Sequence, residues 1–122
     1  MKSFKLGWMG DGGMGERLIG AILSGQKTAT SCPVSDPDDP VFDVGDQLHL
    51  IDKHNKSRGI LVVTRIELRS FGQFDDNIAG ALGLPLQELR HAAHFANGRE
   101  IPAEEAMRVV YFEVIPESRP QA

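Results

Sequence analysis

Apolar positions along this chain change period several times, and each change marks an element. From Glu16 to Ser24, residues Leu18, Ile19, Ile22 and Leu23 fall on one stripe at helical spacing, with Glu16 suited to the positive end of the helix. The pattern then switches to alternation at Lys27-Thr-Ala-Thr-Ser31, which predicts a short strand with Lys27 and Ala29 on one face and Thr28 and Thr30 on the other, unless a turn or bulge intervenes. Gly25, between the two, is placed to take the left-handed conformation that releases the last helical carbonyls. Residues 32–45 hold three prolines and four aspartates, which exclude a central strand or helix and predict a turn-rich loop.

Gln47-Leu-His-Leu-Ile51 alternates as a strand should, and Asp52–Arg58 reads as a polar, hairpin-like connection. Gly59–Leu68 is the strongest strand, long and β-branched, and its tail puts Arg65, Glu67 and Arg69 on a polar face. Two short helical patterns follow, Asp75–Leu82 and Pro85–Phe95, the second with Leu86, Leu89 and Ala93 as its buried stripe. Ala103–Ala106 suggests a helical turn, Met107–Ile115 a closing strand, and Pro116–Ala122 a disordered tail. One early helix, a helical insertion and otherwise strands predict an α+β fold: a single domain over 1–122, built as a small, partly closed β-barrel flanked by short helices.

Composition narrows the function classes. With 122 residues, 41% hydrophobic and 25% charged, the chain has the make-up of an ordinary soluble domain. No apolar run approaches bilayer-spanning length, and Met1–Gly7 lacks the apolar core of a signal peptide, so no membrane partner is expected. A single cysteine, Cys32, rules out an intrachain disulfide framework and fits a cytoplasmic location. The net charge of −4 argues against avid duplex binding and leaves room for a small ligand or a short single strand in a local groove.

Several residue groups carry possible chemistry. Gly10-x-Gly12-x-x-Gly15 before a helix matches the dinucleotide fingerprint formally, but no buried strand precedes it and Asp36, the acid at about the right distance, lies in a turn-rich loop; a glycine-rich lead-in is the better reading. Cys32 has His49 as its nearest histidine and reads better as a small structural residue than as a nucleophile. His91 and His94 share a helix face at i, i+3 without a third ligand, so no metal is expected. Lys53, His54, Lys56 and Arg58, with Arg65 and Arg69, form either a basic strip for phosphates or an ordinary solvated face. Trp8 and Tyr111 are candidates for base stacking or for packing. Around Gly25–Thr30 an ammonium stands beside hydroxyls, a set suited to a phosphate, a carbonyl or a nucleobase edge; its plainer reading is a solvated lysine beside strand-forming threonines.

The helix ending Ile22-Leu-Ser-Gly25, the Lys27-Thr28-Ala29-Thr30 strand and Val44-Gly45-Asp46 before the next strand together resemble the ASCH family of the PUA-like superfamily. The resemblance extends through Ile60–Leu68, Phe71 and Phe74, the following helices and Val109–Val114, so it covers residues 4–115. It implies a PUA-like fold with a cleft for RNA or a nucleobase-like ligand. Some small members are amidohydrolases of acetylated cytidine that use a lysine, a threonine and a glutamate, and one is a ribonuclease. Lys27 and Thr30 match the first two positions, whereas Ala81-Leu82 stand where the acid belongs, leaving Asp75, Asp76 or Glu88 as substitutes. The leading expectation is therefore an RNA or modified-nucleoside binder using Gly25, Lys27, Thr28, Thr30 and Arg65, without cofactor or metal. The alternative is a hydrolase with Lys27 and Thr30 as catalytic residues. A third class is an interaction module for a protein partner in transcription or translation control.

Overall fold

The computed structural model describes residues 2–35 and 41–118; the predicted turn-rich segment 36–40 lies outside them. In chain order the elements are β1 (Lys2–Lys5), α1 (Met14–Leu23), β2 (Ala29–Pro33), β3 (Gln47–Ile51), β4 (Ser57–Ser70), α2 (Asp76–Leu82), α3 (Leu86–Asn97) and β5 (Ala106–Val114). The strands form one sheet in the order β1-β3-β4-β5-β2. β1 runs parallel to β3, and every other pairing is antiparallel. The sheet curls into a half-barrel whose two end strands, β1 and β2, do not pair with each other.

Each face of the sheet supports its own core. Ile19 and Ile22 of α1 pack with Leu48, Leu50, Leu61, Val63, Val110 and Phe112 on one side. On the other, Ile78, Ala79 and Leu82 of α2 and Leu89 of α3 cover Ala29, Met107 and Val109. β5 serves both, because successive residues of a strand point to opposite faces: Met107 and Val109 go one way, Val110 and Phe112 the other.

The long β4 strand departs from simple alternation. Val63 pairs with Phe112 and Arg65 with Tyr111, so Thr64 is left over as a bulge. The extra residue shifts the parity, which places Ile66 against the same core as Leu61 and Val63 and sends Arg65, Glu67 and Arg69 outward. The β3–β4 hairpin turns on Asp52, whose buried carboxylate accepts the backbone N–H groups of His54 and Lys56.

The glycine-rich lead-in is ordered by one aspartate. Asp11 accepts hydrogen bonds from the N–H groups of Gly15 (3.0 Å), Gly13 (3.0 Å) and Trp8 (3.3 Å), and Lys53 Nζ approaches it at 3.3 Å. The protein's own carboxylate thus occupies the helix N-terminus where a dinucleotide phosphate would have to sit. Gly15 crosses Gly7 so closely that a Cβ on Gly15 would lie 2.9 Å from Gly7 N and 2.9 Å from Asp11 Oδ2, which explains the glycine at this point.

Several boundaries differ from those the sequence predicts. β2 begins at Ala29 instead of Lys27, because the N–H groups of Gln26 and Lys27 both still bond to Ala21 O at the helix end. The expected loose tail from 116 starts later, since Pro116–Ser118 form a 3-10 turn in which Ser118 Oγ accepts from Ile60 N at 2.8 Å; residues 119–122 lie outside the described residues. Ala103–Ala106 makes a turn leading into β5 and no helix. Among the described residues no helix is long and apolar enough to cross a membrane.

The Asp11 carboxyl is held down to about 2, chiefly by the Gly15 N–H. Because this lies below the unfolded value of 3.8, its contribution is complete above that value and is lost as pH falls toward 2. Asp11→Asn is therefore expected to lower the melting temperature at pH 6, with the gap from the parent closing in acid. A gap unchanged down to pH 2.5 in thermal melts would contradict the assignment.

Candidate functional site

Lys27 sits between the end of α1 and the start of β2. Gly25, at φ +84°, completes the helix end and turns the chain, and Thr28 N then bonds to Ala81 O on α2. These bonds pull the segment under α2, and Lys27 is only 5% exposed despite its charge-bearing side chain. Its Nζ donates to Ala29 O at 2.5 Å and to Leu82 O at 2.9 Å. The aliphatic stem runs past Gly83, the left-handed residue that ends α2. A Cβ there would lie 3.0 Å from Lys27 Cβ and 3.4 Å from its Cγ.

Burial is the cause of the amine's altered acidity. With both acceptors uncharged, nothing offsets the lost hydration of an ammonium, and the pKa is pushed from 10.5 down to about 7. Buried lysines without an anionic partner are uncommon and belong to functional sites more often than charged surface groups do.

Lys27 is one of the residues lining a cavity of about 320 Å³. Lys5 of β1 and Thr30, Ser31 and Cys32 of β2 lie on its walls, so the space opens at the unpaired seam of the half-barrel. Trp8 from the glycine-rich lead-in and Asn97 from α3 add an aromatic and an amide, and Leu82, Leu84, Leu89 and Met107 supply apolar surface. A second hollow of about 280 Å³ continues along the seam between Ser3–Lys5 and Thr30–Cys32. No aspartate or glutamate is among the described residues lining the larger cavity.

The residues singled out from sequence separate into two groups. Lys27 and Thr30 line one cavity, and Trp8 and Cys32 join them. They share it because residues 27 and 28 precede β2, so the alternation of a strand does not govern Lys27. Gly25 shapes the turn at the surface, and Thr28 is exposed; neither lines the cavity. Arg65 lies on the outside of β4, its guanidinium 4.1 Å from the centre of the Tyr111 ring and 3.0 Å from Glu67 Oε1. Tyr111 and Arg69 both hydrogen-bond Glu67, which holds that carboxyl below its usual range. Arg65 and Tyr111 therefore form an outer-face cluster and are not part of the cavity lining.

The other candidate chemistry also finds its place. Asp75 caps α2 by accepting from Ile78 N, and Glu88 pairs with Arg17 at 2.6 Å; neither these two nor Asp76 lines the Lys27 cavity. His94 Nδ1 accepts from Ile101 N at 2.8 Å, and among the described residues no histidine, cysteine or acidic cluster could hold a metal. In the basic strip, Lys53 meets Asp11, Arg58 meets Glu16 and Asp52, and Arg65 and Arg69 meet Glu67. Gly83 and Asn97 were not legible as site residues. A Gly following Ala81-Leu82 signals a helix end, and nothing local says what it packs against.

Two changes probe this arrangement. Gly83→Ala should destabilise the fold by about 1–2 kcal/mol through the left-handed backbone alone, read as a lower urea midpoint, and should also displace the Lys27 stem. Lys27→Met should change the dependence of stability on pH. Between about 7 and 10.5 the unfolded chain binds a proton at Lys27 that the folded chain does not, so parent stability rises through that interval from this group. Urea titrations at pH 6, 8 and 10 should show this slope in the parent and its loss in the variant; parallel profiles would refute a buried, depressed amine.

No protein-family model matches the chain, and no curated protein matches it. Solved structures do. Protein EF3133 from Enterococcus faecalis V583, of the family DUF984, superposes with a TM-score of 0.78 at 21% identity, over 100% of this chain and 84% of that one. The ASCH domain from Lactobacillus crispatus JV V101 gives 0.76 at 17% identity, over 93% and 79% of the two chains. A variant of ZmASCH from Zymomonas mobilis gives 0.56 at 14% identity, over 92% and 68%. With its five-stranded half-barrel, three short helices and these structural counterparts, the chain has an ASCH/PUA-like α+β fold.

Proposed function

We propose that this protein binds RNA or a modified nucleoside in the cavity at the seam of the half-barrel, with Lys27 and Thr30 as its central polar contacts. The observation that carries the reading is a buried lysine, with no acidic partner among the described residues, in the wall of a cavity that residues with hydroxyl, amide and aromatic groups also line. Small-molecule sites combine apolar walls with a few convergent polar groups in this way. A planar base would meet the leucine-rich wall and Trp8, while Lys27, Thr30, Ser31 and Asn97 offer donors and acceptors to its edge. Lys5 and the hollow along the seam would take a flanking phosphate or ribose. Gly25 and Thr28 act on this reading by setting the turn that presents Lys27. Arg65, out on β4, would meet only RNA long enough to leave the cavity. The single cysteine fits a cytoplasmic protein of this kind.

Hydrolysis of an acylated nucleoside or of RNA is the second reading. A lysine with its pKa near 7 in one cavity with Thr30 is what a base and its nucleophile require. The lining as described offers no carboxylate to protonate a leaving amine, which places binding ahead of turnover.

Calorimetric titration with nucleosides and with short single-stranded RNAs is expected to give binding heat. Lys27→Ala should weaken that binding severalfold, as removal of a hydrogen bond of about 0.5–1.5 kcal/mol requires. Binding indifferent to this change would reject the site. Release of product from acetylated cytidine, abolished in Thr30→Ala, would promote the hydrolase reading instead.

A further inference from the structure

We propose that Lys27 is a carbonyl-capturing amine, and that small aldehydes entering the seam cavity condense with its Nζ to an imine. The inference uses the amine of the proposed ligand site but does not depend on RNA or nucleoside binding there. It rests first on how the amine is held. A neutral amine has two N–H groups and one lone pair, and the two carbonyls of Ala29 and Leu82 accommodate two N–H groups. Neither acceptor carries a charge, so neither retains a third proton on the nitrogen. Among the described residues no donor reaches the lone pair, and Lys27 is one of the residues lining about 320 Å³ of space.

The surroundings reinforce this. Leu82, Leu84, Leu89 and Met107 give the cavity apolar walls, which admit an aldehyde's hydrocarbon body and disfavour the water that would reverse condensation. Loss of hydration lowers the Lys27 pKa to about 7, so a substantial share of the amine is unprotonated near neutral pH. Of the chain's other lysines, Lys2 pairs with Asp46 at 2.8 Å and Lys53 with Asp11 at 3.3 Å, while Lys5 and Lys56 are exposed. Lys27 stands apart from all four.

The step balances without any redox partner. The Nζ lone pair adds to the carbonyl carbon, the carbon–oxygen π pair moves onto oxygen, and a proton passes from nitrogen to that oxygen to give a carbinolamine. The nitrogen lone pair then expels the hydroxyl, which leaves as water with one proton. Amine and aldehyde become imine and water.

The test treats the folded protein at pH 7.5 with propanal and cyanoborohydride, which reduces the imine to a stable secondary amine, and maps the alkylated lysines by mass spectrometry at short times. Lys27 is expected to react at least tenfold faster than Lys5 or Lys56, and its rate should fall steeply as pH is lowered below 7. In urea, where the fold is lost, all five lysines should react alike. Equal labelling of the lysines in the folded state, or labelling confined to the surface, overturns the proposal. Because the selectivity is read within the wild-type chain, it does not depend on a Lys27 variant that folds. A protein that labels at Lys27 but ignores nucleosides would separate this inference from the binding reading.

Discussion

An amine enclosed by two backbone carbonyls is the constraint around which this structure is arranged. Hydrogen bonds satisfy the Lys27 donors, but they do not replace the hydration that an ammonium loses. The neighbouring sequence is organised to impose that enclosure. Gly25 ends α1 and turns the chain, Thr28 ties it to Ala81, and Gly83 clears a lane for the aliphatic stem. The end of α2 and the start of an edge strand meet at one nitrogen.

The sheet provides the space that makes the enclosure useful. β2 is held only on its β5 side and β1 only on its β3 side, so the half-barrel retains a gap where a closed barrel would have a ladder. Side chains from both end strands line that gap, and the Asp11-ordered lead-in brings Trp8 to it. Two independent cores, one under α1 and one under α2 and α3, allow the seam to stay open, because neither depends on closing it.

Much of this was legible in the residues. The helical stripe of α1, the alternation of β3 and the glycine at the helix end each reflect local geometry, and local geometry is what a sequence displays most directly. The β4 bulge was not legible, because Ile60, Leu61, Val62 and Val63 are apolar at both parities and Ile66 then marks no break. The rest of what could not be read was long-range. That Lys27 meets Leu82, 55 positions away, follows from the way α2 packs on β2. The capture of Arg65 by Tyr111 and Glu67 required the register of β4 on β5, which the bulge itself sets. Near Ala81-Leu82, where the resemblance implied an acid, the Leu82 main-chain carbonyl meets the Lys27 amine, and a side-chain alphabet does not record that contact.

An unpaired seam also bears on rates. Where a ligand must enter a closed barrel, strands have to part, and the opening step limits association. Among the described residues no ladder spans the mouth, so on the proposed reading a ligand would enter without strands parting.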